Sequence, residues 1–418
     1  MRYQYKNYNK LQKNILWNAF GNMVYLGCQW LVSIFVTRLF GFEDAGILSL
    51  AMSISAVFQS VALFGIRNYQ VSDVEKKYSD STYLGLRGIT CIIAMILCLG
   101  FSYFNKYDTN QFGAIFWFML FRLSEDYSDA LHGIAQREGR LDIPGKSFFI
   151  KGIGTILMFF GGYHITGKLD STLAIVALTS CAITATFDLL NVKKLACFSL
   201  YDRFQRCFAL GKETVPLCLY MFLLSAISAV PKYILEKMCD TLALGAYSSI
   251  FAPALLIQAA AGYIYSPFVT MFAEYYNKGE RKCFVRLAQK LCAVVFGIAI
   301  VILAFGKLAG SHVLKMMFGE EILDYSGLLF PILLSTFLTS YLAFFCMMEV
   351  VVRDFRGMVA GCMIGLILCS ALTPVLIKSV GLNGTSYGMI GGTVGAIVCL
   401  SFRLKKKLRK TNKERREG

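Results

Sequence analysis

The sequence predicts an all-α integral membrane protein with twelve transmembrane helices in two parallel six-helix lobes. Three observations carry this prediction. The first is composition: of 418 residues, 56% are hydrophobic and only 16% are charged, with a mean hydropathy of +0.57. Soluble domains carry about a quarter charged residues. Surface-to-volume scaling leaves a soluble chain of this length too little interior to hide so much apolar surface. The second is a series of apolar runs of about 20 residues, the length a helix needs to cross the hydrocarbon core. The third is positive charge that alternates from loop to loop in step with those runs. Composition alone excludes a disulfide-stapled secreted scaffold, a disordered chain and an ordinary soluble enzyme.

The first run, residues 14–37, follows the basic stretch Arg2, Lys6, Lys10 and Lys13. It is too long for the apolar core of a signal peptide, and no small-residue cleavage site follows it, so it reads as a retained helix. The second and third runs occupy 45–66 and 86–104. The fourth, 112–134, carries charges along one face. The fifth, 145–166, and the sixth, 171–192, complete the first lobe, with Asp188 near the end of the sixth. The seventh, 212–235, contains Pro216 and carries Lys232 near its outer end; the eighth, 243–272, contains Pro253. The ninth, 286–307, and tenth, 325–349, flank the longest outer loop, 308–324. The eleventh, 356–378, contains Pro374, and the twelfth, 382–403, leads into a basic tail. Neighbouring helices satisfy backbone groups that proline frees in a membrane, so these three prolines mark bends.

One side of the membrane collects the N-terminus, alternate loops and the C-terminus, with 33 of the 42 Lys and Arg; the other side holds 8, and Arg122 lies within a span. The 33 include Arg87 and Lys151, read as loop-flanking charges. This asymmetry places both termini in the cytoplasm. The last sixteen residues hold nine Lys and Arg, which suits anionic lipid head groups at roughly 1 kcal/mol per basic residue. Basic clusters set between apolar runs explain the net charge of +16 without nucleic acid as a partner.

The resulting organisation is a cytoplasmic N-terminus (1–13), a first lobe (14–192), a cytoplasmic linker (193–211), a second lobe (212–403) and a basic cytoplasmic tail (404–418). Six crossings return the chain to its starting side, so the lobes share one orientation and any repeat is a parallel one. At an offset of 199, Gly46 matches Gly245, Ser49 matches Ser248, Gln59 matches Gln258 and Ala62 matches Ala261, with Arg38 opposite Lys237.

Fourteen cysteines contain no CxxC pair and fall mostly in apolar runs, as small buried hydrophobes do. His132, His164 and His312 show no metal-ligand spacing. No loop exceeds about 20 residues, so any function resides among the helices.

The fourth span is the most informative. Arg122, Glu125, Asp126 and Asp129 recur at i, i+3, i+4 and i+7, and Gly133 and Gln136 continue that face. A charge at mid-membrane costs about 2.5–3.5 kcal/mol on insertion scales, so these residues must face one another or a wet cavity. Arg122 suits an anionic substrate group, because its fork matches phosphate. Glu125, Asp126 and Asp129 suit proton or cation coupling. Asn18, Asn22, Gln29 and Ser33 line one face of the first span, either as glue between helices or as a sugar-facing wall. Arg38 and Arg67 sit at opposite mouths as anchors. Asp188 and Lys232 read as interfacial or snorkelling residues. Arg38, Arg67 and Lys232 would add positive charge to a substrate cavity if they turn inward.

Several short motifs carry a family resemblance. Arg38-Leu-Phe-Gly41-Phe-Glu43-Asp44-Ala-Gly46, between the first two spans, resembles the turn that opens the second helix in polysaccharide-transport proteins. These are the Wzx-type flippases of the MOP (MATE-like) exporter superfamily. Phe64-Gly-Ile-Arg67-Asn and Phe318-Gly319-Glu320-Glu321 also resemble that family, as do the length, the twelve spans and the polar fourth span. The resemblance implies a MATE-like fold and a flippase for an undecaprenyl-pyrophosphate-linked oligosaccharide, used in capsule or O-antigen assembly. It implies alternating access around a cationic cavity in the bacterial cell membrane. Polysaccharide polymerase and glycosyltransferases would be neighbouring partners. The stripe of the fourth span departs from that pattern, with one Arg and three acids.

A charged, glycosylated head group cannot cross about 30 Å of hydrocarbon unaided. A protein needs only to offer a polar cleft and rock between two openings. No covalent chemistry is required, and no Walker A loop is present, so the chain is expected to use no cofactor and no ATP. An H+ or Na+ gradient is the expected energy source. Two other classes compete. A cation-coupled multidrug exporter of the same superfamily would use the acids of the fourth span. A membrane-embedded glycosyltransferase or polymerase would need catalytic groups in a sizeable loop, and 308–324 offers only Glu320, Glu321 and Asp324.

Overall fold

The computed structural model describes the backbone of residues 2–72, 77–196, 198–199, 202–265 and 268–417. Side chains are described for these except 2–13, 15, 68, 72, 256, 259, 260, 262, 263, 270 and 409–417. The described residues are helical nearly throughout, in the order α1 (Arg2–Leu63), α2 (Ile66–Ser72), α3 (Asp80–Phe104), α4 (Thr109–Arg137), α5 (Asp142–Thr166), α6 (Leu169–Ile183) and α7 (Leu189–Lys193). A π-helical turn, Thr184–Asp188, joins α6 to α7. There follow α8 (Phe204–Met238), α9 (Thr241–Tyr265), α10 (Val269–Lys278), α11 (Arg281–Phe318), a 3-10 turn (Glu321–Leu328), α12 (Leu329–Val351), α13 (Phe355–Val380) and α14 (Asn383–Glu417).

The sequence-predicted spans fall mainly on helical residues, and the eighth, 243–272, reaches from α9 into α10. Among the described residues, nine helices are long and apolar enough to cross a membrane. One of them, Leu16–Leu63, contains the first two spans, because α1 bends at Gly41, where φ is +86° and ψ −177°. A side chain there would strain the backbone, so the glycine lets two spans meet with almost no loop. The charged stripe gives α4 a low mean hydropathy, and α9 contributes a shorter apolar stretch, Thr241–Leu255. The protein is a multi-pass membrane protein.

Some predicted boundaries move. The outer loop 308–324 is mostly helix, since α11 runs to Phe318 and the 3-10 turn starts at Glu321. The linker is shorter than predicted, because α8 already begins at Phe204. Within the eighth predicted span, α9 ends at Tyr265 and α10 starts at Val269, and 266–267 lie outside the described residues. The first two shifts share a cause. Helices continue past the hydrocarbon into polar sequence, where hydropathy no longer marks them. The tail is helical to Glu417, while its side chains from Arg409 onward, like those of Arg2–Lys13, lie outside the described residues.

The chain divides into two compact units, Met1–Phe40 with Ile47–Phe222, and Gly41–Gly46 with Leu223–Gly418. In the first unit α4 is central, packed on α3, α5 and α6. Its Ala130, Leu131 and Ile134 are buried with Leu84, Ile143 and Val192. Ile92, Ile96, Leu157 and Leu178 point outward, as residues facing lipid do. In the second unit, Phe272, Phe284 and Phe344 form an aromatic centre under α12. There α13 and α14 pack at close range: a Cβ on Gly388 would lie 2.1 Å from Thr373 Oγ1, and one on Gly392 2.6 Å from Cys369 Cβ. Lipid tails are as apolar as leucine, so such close van der Waals packing, rather than hydrophobic burial, holds membrane helices together.

Candidate functional site

The polar residues of the first unit converge on α4. The predicted stripe does share one face, and other helices answer each of its charges. Arg122 Nη1 donates to Glu125 Oε2 at 3.0 Å, the i, i+3 pairing expected from the spacing. Its guanidinium lies over the Phe118 and Phe121 rings, 5.2 and 5.8 Å from their centroids. The Tyr25 hydroxyl of α1 donates to the other oxygen of Glu125. Asp126, the next residue, accepts from Gln59 Nε2 through Oδ1 at 2.7 Å, while its Oδ2 is buried and has no hydrogen-bond partner among the described residues.

Asp129 takes two arginines. Arg67 Nη1, from α2, lies 2.5 Å from Oδ1, and Arg87 Nη2, from α3, lies 3.1 Å from Oδ2. Arg67 also donates to Gln136 Oε1 at 3.1 Å. Arg87 is fully buried, and its Nη1 donates to the Ala62 carbonyl at 2.7 Å. It is therefore no loop-flanking charge. It sits about two turns inside α3, where an apolar environment requires a carboxylate beside it. Arg67 is likewise more than a mouth anchor: it turns inward, and its side chain is 26% exposed.

A second network lies about a third of a turn around α4, on the face of Ser124, Ser128 and His132. Asp188, in the π turn, is its hub. It accepts from Lys151 Nζ at 2.9 Å and from Ser128 Oγ at 2.8 Å, and its Oδ1 lies 3.1 Å from His132 Nε2. Ser128 also bonds Thr184 at 2.9 Å, and Ser124 bonds Ser180 at 2.6 Å. Asp188 and His132 are fully buried, and Lys151 nearly so. The interfacial reading of Asp188 and the loop reading of Lys151 are thus both corrected. The extra residue of a π turn re-aims the side chains beyond it, which brings Asp188 to the face that meets α4 and α5.

The other predicted residues stand apart from this cluster. Asn22 Nδ2 donates to the Asn18 carbonyl at 2.8 Å, so that pair bonds within its own helix. Gln29 lines a small pocket of about 20 Å³ with Ser33, Phe118, Phe121 and Phe159, and its Nε2 has no hydrogen-bond partner among the described residues. The Arg38 side chain is exposed. Lys232, in the second unit, does not snorkel; its ammonium lies 3.8 Å from the centroid of Phe251, a cation–π contact.

Tyr25, Gln59, Arg87, Lys151 and His132 were not legible as site residues. Arg87 and Lys151 stood near span ends, where a cation ordinarily reads as a topology signal. Tyr25 and Gln59 had no charge to mark them. Helical spacing offered the one available signal, since Ser124, Ser128 and His132 recur at i, i+4 and i+8.

Among the described residues, no group of His, Cys, Asp and Glu is arranged to hold a metal ion. The arrangement supplies a partly open row of paired charges inside helices of otherwise apolar sequence.

No family model matches the sequence. The capsular polysaccharide biosynthesis protein CapF of Staphylococcus aureus is 25% identical over 315 residues, covering 74% of this chain and 78% of that protein. Among solved structures, the lipid II flippase MurJ in an inward closed conformation matches with a TM-score of 0.71 at 12% identity, over 96% of this chain and 89% of that one. An inward-facing multidrug resistance MATE family transporter of the MOP superfamily gives 0.65 at 14% identity, over 95% of each chain. The Vibrio cholerae MATE transporter VcmN in its bent form gives 0.59 at 15% identity, over 97% of each. The chain therefore has an all-α, MATE-like membrane fold, and its structural neighbours are transporters and flippases. The superfamily resemblance carried by the short sequence motifs agrees with these comparisons.

Proposed function

We propose that the protein is a flippase that carries a lipid-linked oligosaccharide repeat unit, borne on undecaprenyl pyrophosphate, across the bacterial cytoplasmic membrane for surface polysaccharide assembly. The observation that carries this reading is the face of α4: Arg122, Glu125 and Asp129, with Arg67 from α2, form a paired charged row of which Arg122, Asp129 and Arg67 keep about a quarter of their side-chain surface open. Such a row can exchange internal partners for those of a passing head group without leaving a bare charge in the membrane. Its chemistry suits an anionic head group; the structural neighbour MurJ is named a lipid II flippase, and the capsule-named relative points to polysaccharide.

In this reading the protein works by alternating access, with both termini in the cytoplasm and no covalent chemistry. Polymerase and glycosyltransferases act beside it. Asp126 is the coupling candidate, because one of its oxygens has no partner and can take an ion, H+ or Na+, while Glu125 and Asp129 are held by arginines. Deletion should strand lipid-linked repeat units on the cytoplasmic leaflet and abolish surface polysaccharide, with repeat-unit synthesis intact. Persistent surface polymer in a strain with no second flippase would overturn the reading.

The likeness to multidrug transporters favours a second reading, export of a free organic cation. The partners of Glu125 and Asp129 weigh against it, since a cation would have to displace arginines. Deletion would then sensitise cells to cationic compounds and leave the polysaccharide unchanged.

A further inference from the structure

Three features of the first unit point beyond the face of Arg122. Two arginines from different helices, Arg67 and Arg87, share the single carboxylate of Asp129. Arg87 is wholly buried, yet its Nε–H meets no acceptor among the described residues. Gln70, one turn beyond Arg67 and also wholly buried, has no partner among the described residues for either atom of its amide. Gln70 lies against the same stripe of α4. A Cβ on Gly133 would sit 2.2 Å from Gln70 Oε1, and Gly133 falls between Asp129 and Gln136 on that face.

Arg122, by contrast, is matched one to one by Glu125, and its guanidinium faces are covered by two phenyl rings. The excess of donors is therefore not where the sequence places it. It lies where α2, α3 and α4 meet: two guanidinium forks share one carboxylate, with the Ala62 carbonyl and Gln136 Oε1 as their other acceptors, and an amide bonded through neither atom among the described residues lies against the same face. Buried donors without acceptors are unfavourable, and a dianion with oxygens on several sides satisfies more of them than one carboxylate can.

We propose that Arg67 and Arg87 form a seat for a phosphate or diphosphate ester, with Asp129 as the resident anion that the ligand displaces. The proposal rests on the flippase reading for the identity of its ligand, and it moves phosphate recognition from Arg122 to this pair. Arg67 and Asp129 are each about a quarter exposed, so they form the open edge; Arg87 is the buried floor. Guanidinium forks match phosphate oxygens in pairs. Release would return Asp129 to both arginines, so the empty site carries no bare charge.

The test is equilibrium binding to the purified full-length protein in nanodiscs of neutral lipid, with farnesyl diphosphate, inorganic pyrophosphate and phosphatidylglycerol as separate probes. Farnesyl diphosphate should bind. Arg67→Gln should weaken it at least tenfold, and Asp129→Asn, which removes the competing charge, should strengthen it several-fold. Arg87→Lys should bind more weakly than wild type, because it keeps the charge and loses the fork. Thermal unfolding of each variant is measured alongside. If the cluster only holds the helices together, Asp129→Asn lowers the melting temperature and does not tighten binding, which overturns the proposal. Unchanged affinity in Arg67→Gln overturns it as well.

The probes separate the sources of phosphate. Tighter binding of farnesyl diphosphate than of pyrophosphate or phosphatidylglycerol supports a lipid-linked diphosphate. Equal binding of all three would make the site one for any phosphate and overturn the substrate assignment. If deletion leaves surface polysaccharide intact while Arg67-dependent binding persists, the flippase reading fails and the seat stands. If flipping occurs but Arg67→Gln both binds and flips like wild type, the seat fails and the flippase reading stands.

Discussion

Lys151 and Asp188 form an ion pair at 2.9 Å with their side chains only 2% and 0% exposed. Such a pair adds little stability over an apolar substitute, whereas removing one partner leaves an uncompensated charge and costs about 3–5 kcal/mol. Lys151→Met should therefore destabilise the protein strongly, even though His132 and Ser128 still face Asp188. The double variant Lys151→Met, Asp188→Leu should recover most of the loss. Thermal unfolding in detergent checks both, and a mild Lys151→Met would mean that Asp188 does not depend on the ammonium.

Gly46 and Gly245, matched by the 199-residue offset, are in contact. A Cβ on Gly46 would sit 1.9 Å from the Thr241 carbonyl oxygen, and one on Gly245 1.8 Å from that of Phe42. The obstacle in each case is backbone, which cannot step aside as a side chain can. Valine at either position should cost about 3 kcal/mol through overpacking, whereas valine at Gly297, where nothing lies within 4 Å, should cost little. Yield of folded protein after size-exclusion chromatography measures the difference.

Under the flippase reading, Arg122→Ala should abolish transport while the protein still inserts, since it strands Glu125 with only the Tyr25 hydroxyl. Arg122→Lys should restore only part of the activity, because it lacks the planar fork. The double variant Arg122→Met, Glu125→Leu keeps the packing and removes both charges. It should remain inactive, and full transport in it would make the pair structural only. Asp126→Asn should alter the dependence of transport on H+ or Na+ more than it alters head-group binding.

Reporter fusions test the predicted orientation. Fusions at Lys106 and Lys168 should read outside, and fusions at Gly139 and Arg203 inside. All four sites lie at helix ends or between helices, so insertion does not interrupt a span. One inverted result removes the topology of that half.

Asp202 ties the linker to α3. It accepts from the Thr82 hydroxyl at 2.5 Å, the Ser79 hydroxyl at 3.2 Å and the Arg203 backbone N–H at 2.7 Å. These bonds, Thr82's foremost, hold its carboxyl below its ordinary pKa. A carboxylate depressed in the folded state stabilises it fully above the unfolded pKa, about 3.9, and loses that contribution as pH falls through the folded value. The linker should therefore stay docked at neutral pH and loosen only below about pH 4. Hydrogen exchange in Arg203–Phe208, corrected for the intrinsic rate, should show this step in the wild type, and Asp202→Asn should remove it.

The sequence by itself determined the solvent and the elements. Apolar runs of bilayer length are a property of the chain, so the all-α membrane fold was legible, and so was the shared face of Arg122, Glu125, Asp126 and Asp129, which follows from 3.6 residues per turn. The pairing of Arg122 with Glu125 was legible too, since both partners sit on one helix. Only the tertiary structure decided who answers the other charges. Arg87, Lys151 and Asp188 read as residues of span ends, and packing turned each of them inward. Gly41 bent two spans into one continuous α1, and a π turn re-aimed Asp188. The physical reason is that spacing fixes neighbours within a helix, whereas partners between helices depend on which faces meet. That is set by close contacts such as Gln70 against Gly133, in which the informative residue has no side chain at all.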